Sequence, residues 1–200
     1  MDPHVVVGED GVSRCWWGAS TPHYEPYHDH EWGMPVDDDD LLFEKLCLEG
    51  FQSGLSWLTI LRKRPDFRRV FDGFDYRRVA EMGPVDVERL LGDASIVRHR
   101  RKIESTMNNA RKALDLTDEF GSLGAFFWRY EPATPSSVLA TESPESWQMA
   151  KDLKRRGFTF VGPTTAYAFM QAMGIVNDHL DGCDARQRCA TARQGFQRPS

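Results

Sequence analysis

The sequence predicts an all-α fold, a multi-helix bundle of many short helices. Apolar residues such as Leu42, Phe43 and Leu46 recur at three- and four-residue spacing, which is the period of an amphipathic helix. Glycines interrupt these patterns at short intervals, and Pro84 directly after Gly83 fits the first turn of a helix. With 40% hydrophobic and 28% charged residues, the composition is that of a globular protein.

The predicted helices follow one another along the chain. They cover residues 37–50, 55–62, 65–71, 76–82, 85–91, 95–116, 120–130, 143–157 and 163–173. Residues 1–13 have neither a helical nor a strand period and are expected to form a flexible leader, and residues 131–142 a loop. The chain becomes polar after Asp184, so residues 185–200 are expected to form a disordered tail. A single folded domain over residues 14–184 is therefore predicted.

Charge is unevenly distributed along the chain. The net charge of −5 argues mildly against a nucleic-acid partner, whereas clusters of basic residues can still converge on phosphates. Such clusters lie at residues 62–64, 68–69, 98–102 and 154–156. The alternative is that each cluster is a solvated helix face. Because the sequence has no apolar run of membrane-spanning length and no apolar signal region, we expect a cytoplasmic protein without a membrane partner.

Two pairs of cysteine and histidine lie near opposite ends of the chain. Cys15 and His28 are 13 positions apart, and His179 and Cys183 are four positions apart. Together they form a Cys2His2 set, which suits a closed, structural, tetrahedral Zn²⁺ site that joins the N- and C-terminal segments. We call these four residues the clasp. The alternative is an ordinary histidine and a stray thiol; Cys47 is expected in the core, and the tail thiol of Cys189 is expected to bind no metal.

A helix, a tight turn and a second helix are predicted over residues 154–166. Gly157 can end the first helix, and Gly162 permits close approach of another backbone. The N–H groups near Gly162, Thr164 and Thr165 would then point outward at a helix N-terminus, where an anion can bind. This pattern suits a helix-hairpin-helix that binds DNA phosphates without reading sequence. A glycine-containing turn between helices is also common without any ligand.

Aromatic residues cluster around one acid. Trp17, Tyr24, Tyr27 and Trp32 lie in a segment without helical or strand period, and Glu49 and Trp57 flank the end of one helix and the start of the next. Flat aromatic rings stack on a positively charged alkylated purine, and a carboxylate compensates its charge and accepts its exocyclic hydrogen bonds. In the alternative interpretation the aromatic residues are core and the acid is a solvated helix end.

Several longer runs are specific enough to identify a family. They are Tyr24-x-x-Tyr27-His28-Asp29-x-Glu31-Trp32-Gly33-x-Pro35, Cys47-Leu48-Glu49-Gly50-x-Gln52-x-Gly54-Leu55-Ser56-Trp57, Ile96-x-Arg98-His99-Arg100-x-Lys102-Ile103, Lys154-x-Arg156-Gly157-Phe158-x-Phe160-Val161-Gly162 and Gly174-x-Val176-Asn177-Asp178-His179. With these runs the chain resembles the constitutive bacterial 3-methyladenine DNA glycosylases of type I over about residues 14–184. That range would be a single glycosylase domain.

The resemblance implies a fold, a metal and roles for individual residues. It implies the helix-hairpin-helix glycosylase fold and structural Zn²⁺ at the clasp. It implies that the carboxylate of Glu49 reads the base, that Tyr27 and Trp57 also contact it, and that Trp17, Tyr24 and Trp32 shape the cavity. It also implies that Leu55 lies on the loop that enters the DNA gap, and that the hairpin around Gly162, with Thr164 and Thr165, binds phosphate.

The resemblance also implies an activity and partners. A monomer would flip 3-methyladenine out of alkylated double-stranded DNA and release the free base by hydrolysis, without cutting the strand. Many helix-hairpin-helix glycosylases carry a catalytic aspartate where this chain has Asn177, so binding of an already labile base would supply the selectivity. The alternatives are a non-catalytic DNA-binding module and a hydrolase with a catalytic zinc.

Overall fold

The computed structural model describes residues 2–134 and 140–199. Over this part of the chain a two-stranded sheet and a series of short helices follow one another. The strands are β1 Val5–Val7 and β2 Ser13–Cys15, and the helices are α1 Tyr24–His30, α2 Asp39–Gln52, α3 Trp57–Val70, α4 Tyr76–Glu81, α5 Pro84–Gly92, α6 Arg100–Phe120, α7 Leu123–Phe127, α8 Pro144–Arg155, α9 Pro163–Ala172 and α10 Asp184–Gly195. Short 3-10 turns lie at Asp72–Phe74 and Trp128–Tyr130. Among the described residues, no helix combines the length and the apolar character that a membrane crossing needs.

Side-chain caps fix where several helices begin. The Asp38 carboxylate accepts from the backbone N–H of Leu41 at the start of α2, and Ser56 accepts from Thr59 at the start of α3. Ser143 caps α8, whose first residue is Pro144, as predicted. The predicted loop over 131–142 includes residues 135–139, which lie outside the described residues.

One predicted helix break is wrong. The sequence predicted separate helices over 55–62 and 65–71, but α3 runs without interruption from Trp57 to Val70, with Pro65 inside it. A proline removes one backbone hydrogen bond and strains the preceding turn. Ile60, Phe67 and Val70 are buried from the same helix, and this burial outweighs the missing hydrogen bond.

Both ends of the chain contain regular structure that the sequence did not predict. Within the predicted leader, β1 pairs antiparallel with β2, Val5 lying opposite Cys15. Residues 184–195 form α10, so the expectation of a disordered tail is wrong there. Ala185 and Cys189, four positions apart on α10, are buried. Two small side chains carry little apolar signal, which is why the sequence pattern missed this helix.

The second helix lies at the centre of the bundle. Every residue of α2 from Leu42 to Phe51 is buried, because α3, α6, α7 and α9 all pack against this helix. Its buried residues include the charged side chains Glu44, Lys45 and Glu49. A buried charge needs a partner of opposite charge or a ligand, so these three side chains are candidates for ion pairs or for ligand binding.

Candidate functional site

The four residues of the clasp meet in the interior. Cys15 ends β2, His28 lies on α1, and His179 and Cys183 follow α9. All four are buried, and one donor atom from each lies within 4.8 Å of all the others. Gly18 makes room for the ring of His28, because a Cβ atom there would lie 2.4 Å from the imidazole Cγ.

The spacing of the donor atoms fits a tetrahedral metal. The Sγ atom of Cys183 lies 3.6 Å from Nε2 of His28 and 3.6 Å from Nδ1 of His179, and Sγ of Cys15 lies 3.7 Å from that Nδ1. Zn–S and Zn–N bonds of ordinary length place sulfur and nitrogen about 3.5 Å apart in a tetrahedron. The residues present therefore fit a closed four-coordinate metal site.

The outer atoms of the clasp are also held. Nδ1 of His28 lies 2.8 Å from a carboxylate oxygen of Asp29, and Nε2 of His179 lies 2.9 Å from the carbonyl of Trp32. Each imidazole thus directs its other nitrogen toward the centre of the clasp. Arg14 in turn fixes Asp29, with Nη2 2.7 Å from Oδ2.

The clasp favours a thiolate. Hydrogen bonding to the side chain of Cys15, then to His179 and His28, holds the pKa of Cys183 far below the ordinary thiol value. The same contact with Cys183, together with burial, raises the pKa of Cys15. A thiolate is the form in which cysteine binds metal, so the chemistry of the donors agrees with their geometry.

The aromatic residues form one continuous group beside the clasp. The ring centroids of Trp17 and Trp32 lie 4.9 Å apart at 81°, and Trp17 meets Tyr24 edge-on at 5.6 Å. Trp32 also packs edge-on against the clasp residue His179, at 4.6 Å. The segment 14–33 was expected to lack helical structure, yet α1 lies within it and places Tyr27 and His28 toward different sites.

Tyr27, Glu49 and Trp57 come together as the sequence predicted, and we call these three residues the aromatic pocket. The rings of Tyr27 and Trp57 lie 5.4 Å apart at 45°. The carboxylate of Glu49 is 6% exposed, so it is not a solvated helix end. Burial, with a further contribution from Glu49, raises the pKa of Tyr27 well above its usual value, which keeps the phenol protonated.

Sequence reasoning missed a lysine inside the aromatic pocket. Nζ of Lys45 lies 2.7 Å from Oε1 of Glu49, donates to the hydroxyl of Tyr27 at 2.8 Å and sits 3.4 Å from the centroid of the Trp57 ring. Burial lowers the pKa of Lys45, and the charge of Glu49 opposes that shift. The available signal was the spacing of Lys45 and Glu49, since residues four apart share a helix face.

A cavity of about 220 Å³ continues from the aromatic pocket. Its lining includes Tyr27, Lys45 and Trp57 together with two further acids, Glu31 and Glu44. Each of these acids has an arginine partner: Arg64 donates to Glu31 at 2.8 Å and Arg68 to Glu44 at 2.8 Å. Two basic clusters of the sequence therefore supply partners for acids of this cavity.

The predicted hairpin connects α8 to α9. Gly157 has a φ of +91°, which ends α8 in the left-handed region, and Gly162 caps α9 in extended backbone. The hydroxyl of Thr164 donates to the Glu142 carboxylate at 2.6 Å. Thr165 lies in the first turn of α9. The helix, turn and helix are as predicted, and the Glu142 carboxylate lies at the side chain of Thr164, close to the expected N–H donors.

Comparison with known proteins identifies the family. The family model for methyladenine glycosylase matches residues 16–187. The chain is 46% identical over 179 residues to DNA-3-methyladenine glycosylase 1 of Escherichia coli (strain K12), covering 86% of this chain and 96% of that protein. The chain belongs to the methyladenine glycosylase family.

Further relatives support this membership. DNA-3-methyladenine glycosylase of Haemophilus influenzae is 39% identical over 182 residues, which cover 88% of this chain and 98% of that protein. A crystal structure of a 3-methyladenine DNA glycosylase I variant in complex with 3-methyladenine superimposes with a TM-score of 0.82 at 37% identity, covering 86% of this chain and 97% of the other.

Helix α6 anchors both the hairpin and the loop that carries Leu55. The ammonium of Lys102 donates to the carbonyls of Phe51 and Ser53 at 2.8 and 2.6 Å. Asn109 accepts from the N–H of Thr159 at 2.9 Å and donates to its carbonyl at 3.0 Å. Leu55 is 41% exposed at the tip of its loop. One helix face therefore sets the relative position of two exposed turns.

The basic clusters of the sequence contain both paired or buried residues and exposed ones. Arg100 pairs with Glu88 at 2.8 Å and Arg156 with Glu119, and Lys102 is buried, so these three are structural. Arg98 and Arg101, by contrast, are exposed. The solvated-face interpretation is therefore too simple for the 98–102 cluster, which contains both kinds of residue.

Asn177 is a structural residue of the turn before His179. Its side-chain amide donates to the carbonyl of Arg186 at 3.0 Å, and its side-chain oxygen accepts from the N–H of His179 at 3.3 Å. The next residue, Asp178, is buried and accepts from Tyr167 and Gln171. The side chain at 177 thus serves the clasp segment. Cys47 and Cys189 are buried, and neither belongs to the four-residue metal cluster.

Proposed function

We propose that this chain is a DNA glycosylase that flips 3-methyladenine out of alkylated double-stranded DNA and releases it, leaving an abasic site. The observation that carries the proposal is the buried carboxylate of Glu49, which the Lys45 ammonium links to the hydroxyl of Tyr27 and the ring of Trp57. Membership of the methyladenine glycosylase family supports it, as do relatives that bear the name DNA-3-methyladenine glycosylase. A flipped base needs stacking faces and a hydrogen-bonding edge, and the aromatic pocket contains both.

The charge of the substrate explains the residue types. An adenine methylated at N3 carries a positive charge while it is bound to the sugar, so aromatic faces and a carboxylate favour it over an undamaged base. Tyr27 and Trp57 would contact the ring, while Trp17, Tyr24 and Trp32 would shape the surrounding cavity. The indole N–H of Trp57 is buried and has no hydrogen-bond partner among the described residues, so it is available to a ligand.

The reaction we propose is simple hydrolysis. The bond between the base and the sugar C1′ breaks, its electron pair neutralises the ring, and water adds to C1′ with loss of a proton. Glu49 would stabilise positive charge at the base and sugar. We propose no strand cleavage, because the runs that carry the family resemblance place no lysine as a Schiff-base nucleophile.

For the clasp we propose structural Zn²⁺, held by Cys15, His28, His179 and Cys183. Two thiol and two imidazole donors at these spacings are the typical ligands of a closed zinc site. The ion would supply cross-linking between β2, α1 and the segment after α9. With all four positions filled by protein, this arrangement does not favour the alternative of a hydrolase with catalytic zinc.

For DNA we propose a surface that consists of the hairpin and the Leu55 loop. The N–H groups after Gly162, including those of Thr164 and Thr165, would bind phosphate at the start of α9, while Leu55 would fill the gap that the flipped base leaves. The hydroxyl of Thr164, which donates to the Glu142 carboxylate, would be available to the phosphate only after it leaves that acid. Action as a monomer and a cytoplasmic location stay predictions.

The experiment is chromatography of the bases that the protein releases from methylated DNA. We expect 3-methyladenine from the unaltered protein and a rate about 100-fold lower from Glu49→Gln, as for loss of one preorganised electrostatic contact. Glu81→Gln, at an exposed position on α4, is the matched control and should release the base normally. A folded Glu49→Gln protein with an unchanged rate would remove Glu49 from the mechanism.

The same assay distinguishes the glycosylase from the second candidate function. A non-catalytic DNA-binding module would release no base from any methylated DNA. Quenching of tryptophan fluorescence by free 3-methyladenine is expected only if Trp57 and its neighbours form a base-binding pocket. Absence of both signals would favour the binding module.

A further inference from the structure

The aromatic pocket already contains a cation of its own. The Lys45 ammonium contacts Glu49, Tyr27 and Trp57, which are the three groups that the proposed function assigns to the base. The side chain of Lys45 is 7% exposed. It donates one charge-assisted hydrogen bond to a carboxylate and another to a phenol oxygen and makes a cation–π contact, and a cationic purine would make contacts of these same kinds.

The local charges do not provide for two cations. Glu31 and Glu44 are each paired with an arginine, whereas Glu49 has Lys45 as its partner. A cationic base beside Glu49 would therefore meet a like charge only a few ångströms away, in a buried place where screening is weak. The base and the ammonium compete for one carboxylate.

We propose that Lys45 is a resident competitor that a base must displace from Glu49, and that its return expels the product. This inference rests on the proposed function. Lys45 is a specificity-determining residue in this scheme, and it takes no part in breaking the bond.

A cavity next to Lys45 can accommodate the displaced ammonium. The cavity of about 220 Å³ beside Lys45 is lined by the acids Glu31 and Glu44. Four rotatable bonds allow the lysine to turn from Glu49 toward these carboxylates while its backbone on α2 stays fixed. There the ammonium would share Glu31 and Glu44 with Arg64 and Arg68, so this position is less favourable than the one beside Glu49.

The base changes charge during the reaction, and this change determines whether the base or the Lys45 ammonium is the better partner of Glu49. In the substrate the ring is cationic and can replace the ammonium as the partner of Glu49. When the bond to C1′ breaks, the bonding electron pair passes to the ring and makes the base neutral. A neutral base leaves Glu49 without a counterion, so return of the Lys45 ammonium becomes favourable and the product leaves.

The test is binding of free 3-methyladenine to Lys45→Met, measured by calorimetry and by inhibition of base release from methylated DNA. Methionine keeps the length of the side chain without its charge. If the pocket is open for about a tenth of the time in the unaltered protein, the variant should bind about tenfold more tightly, since apparent affinity scales with the competent fraction. The matched control Lys151→Met, at an exposed position on α8, should bind as the unaltered protein does.

Equal or weaker binding by Lys45→Met would overturn the inference, because it would make Lys45 a contact for the base. Should that variant not fold, NMR of the unaltered protein decides. The ammonium signal of Lys45, assigned through its side-chain carbons, should shift or vanish as 3-methyladenine is added, and an unchanged signal would overturn the inference. Failure of the unaltered protein to release 3-methyladenine from DNA would instead overturn the proposed function.

Discussion

The clasp and the aromatic pocket are neighbouring sites that treat charge in opposite ways. Helix α1 contributes to both, with His28 in the clasp and the preceding residue, Tyr27, in the aromatic pocket. In the clasp four donor atoms converge and the protein provides no cation among them. In the aromatic pocket the chain places its own cation, Lys45, on the acid.

The difference corresponds to how long each partner stays. The metal that we propose for the clasp would be permanent, so its donors are held in position by outer contacts such as those of Asp29 and Trp32. A substrate is transient, and an empty buried carboxylate would be unfavourable between turnovers. Lys45 satisfies Glu49 during that interval. A permanent ligand thus favours a rigid set of donors, whereas a transient one favours a partner within the chain that the ligand can displace.

Metal removal should have the largest effect, because we expect the clasp to hold both sites in position. With free Zn²⁺ a thousandfold above its Kd, binding to the folded state alone contributes about 4 kcal/mol. Chelation should therefore lower the melting temperature by about 10 °C in a chain of this length, as followed by circular dichroism. Base binding should weaken as well, because α1 connects the two sites.

The control for this prediction is Cys189→Ser. Cys189 is a buried thiol 3.7 Å from Sδ of Met34 and does not belong to the metal cluster, so this variant should retain one Zn²⁺ per chain. Cys183→Ser should lose it, as measured by elemental analysis. A chelated protein that binds 3-methyladenine with unchanged affinity would show that the aromatic pocket does not depend on the clasp.

The two sites also differ in how far the sequence predicts them. The residue types and spacing suggested the clasp, yet 164 positions separate Cys15 from His179, and only packing brings them together. Lys45 was missed for a different reason. An amphipathic pattern assigns one face of α2 to the core, whereas α2 is buried on all sides, so its charged residues are interior.

Similar reasoning accounts for the fold. Long apolar periods and caps predicted α2, α8 and α9 to within a few residues, because local chemistry fixes such elements. The helices α1 and α10 were missed because contacts with distant segments stabilise them, as with Arg193 of α10, which donates to Glu131 at 2.7 Å. Tertiary contacts of this kind leave little periodic signal in the sequence.

A smaller effect is expected from Lys102→Met, which separates the aromatic pocket from the proposed DNA surface. Loss of the ammonium frees the carbonyls of Phe51 and Ser53 and with them the position of the Leu55 loop. The kcat/KM on methylated DNA should fall about tenfold through misplacement of that loop. Binding of free 3-methyladenine should not change, and Lys151→Met serves again as the control.

A parallel loss of free-base affinity would contradict this assignment. It would mean that Lys102 supports the aromatic pocket itself, through the end of α2, and not only the exposed loop. Calorimetry with the free base and steady-state assays with DNA, on the same preparation, distinguish the two cases.

The smallest effect is expected from Asn177→Asp, which asks whether this position belongs to the clasp or to catalysis. The side-chain amide donates to the carbonyl of Arg186, and a carboxylate there loses that donor and faces the carbonyl oxygen instead. Unfolding in urea should show a loss of about 1 kcal/mol, as for one hydrogen bond. Base release should change less than about twofold. A large gain in release rate would instead place residue 177 beside the reacting sugar, and the boundary between the two sites would have to be redrawn.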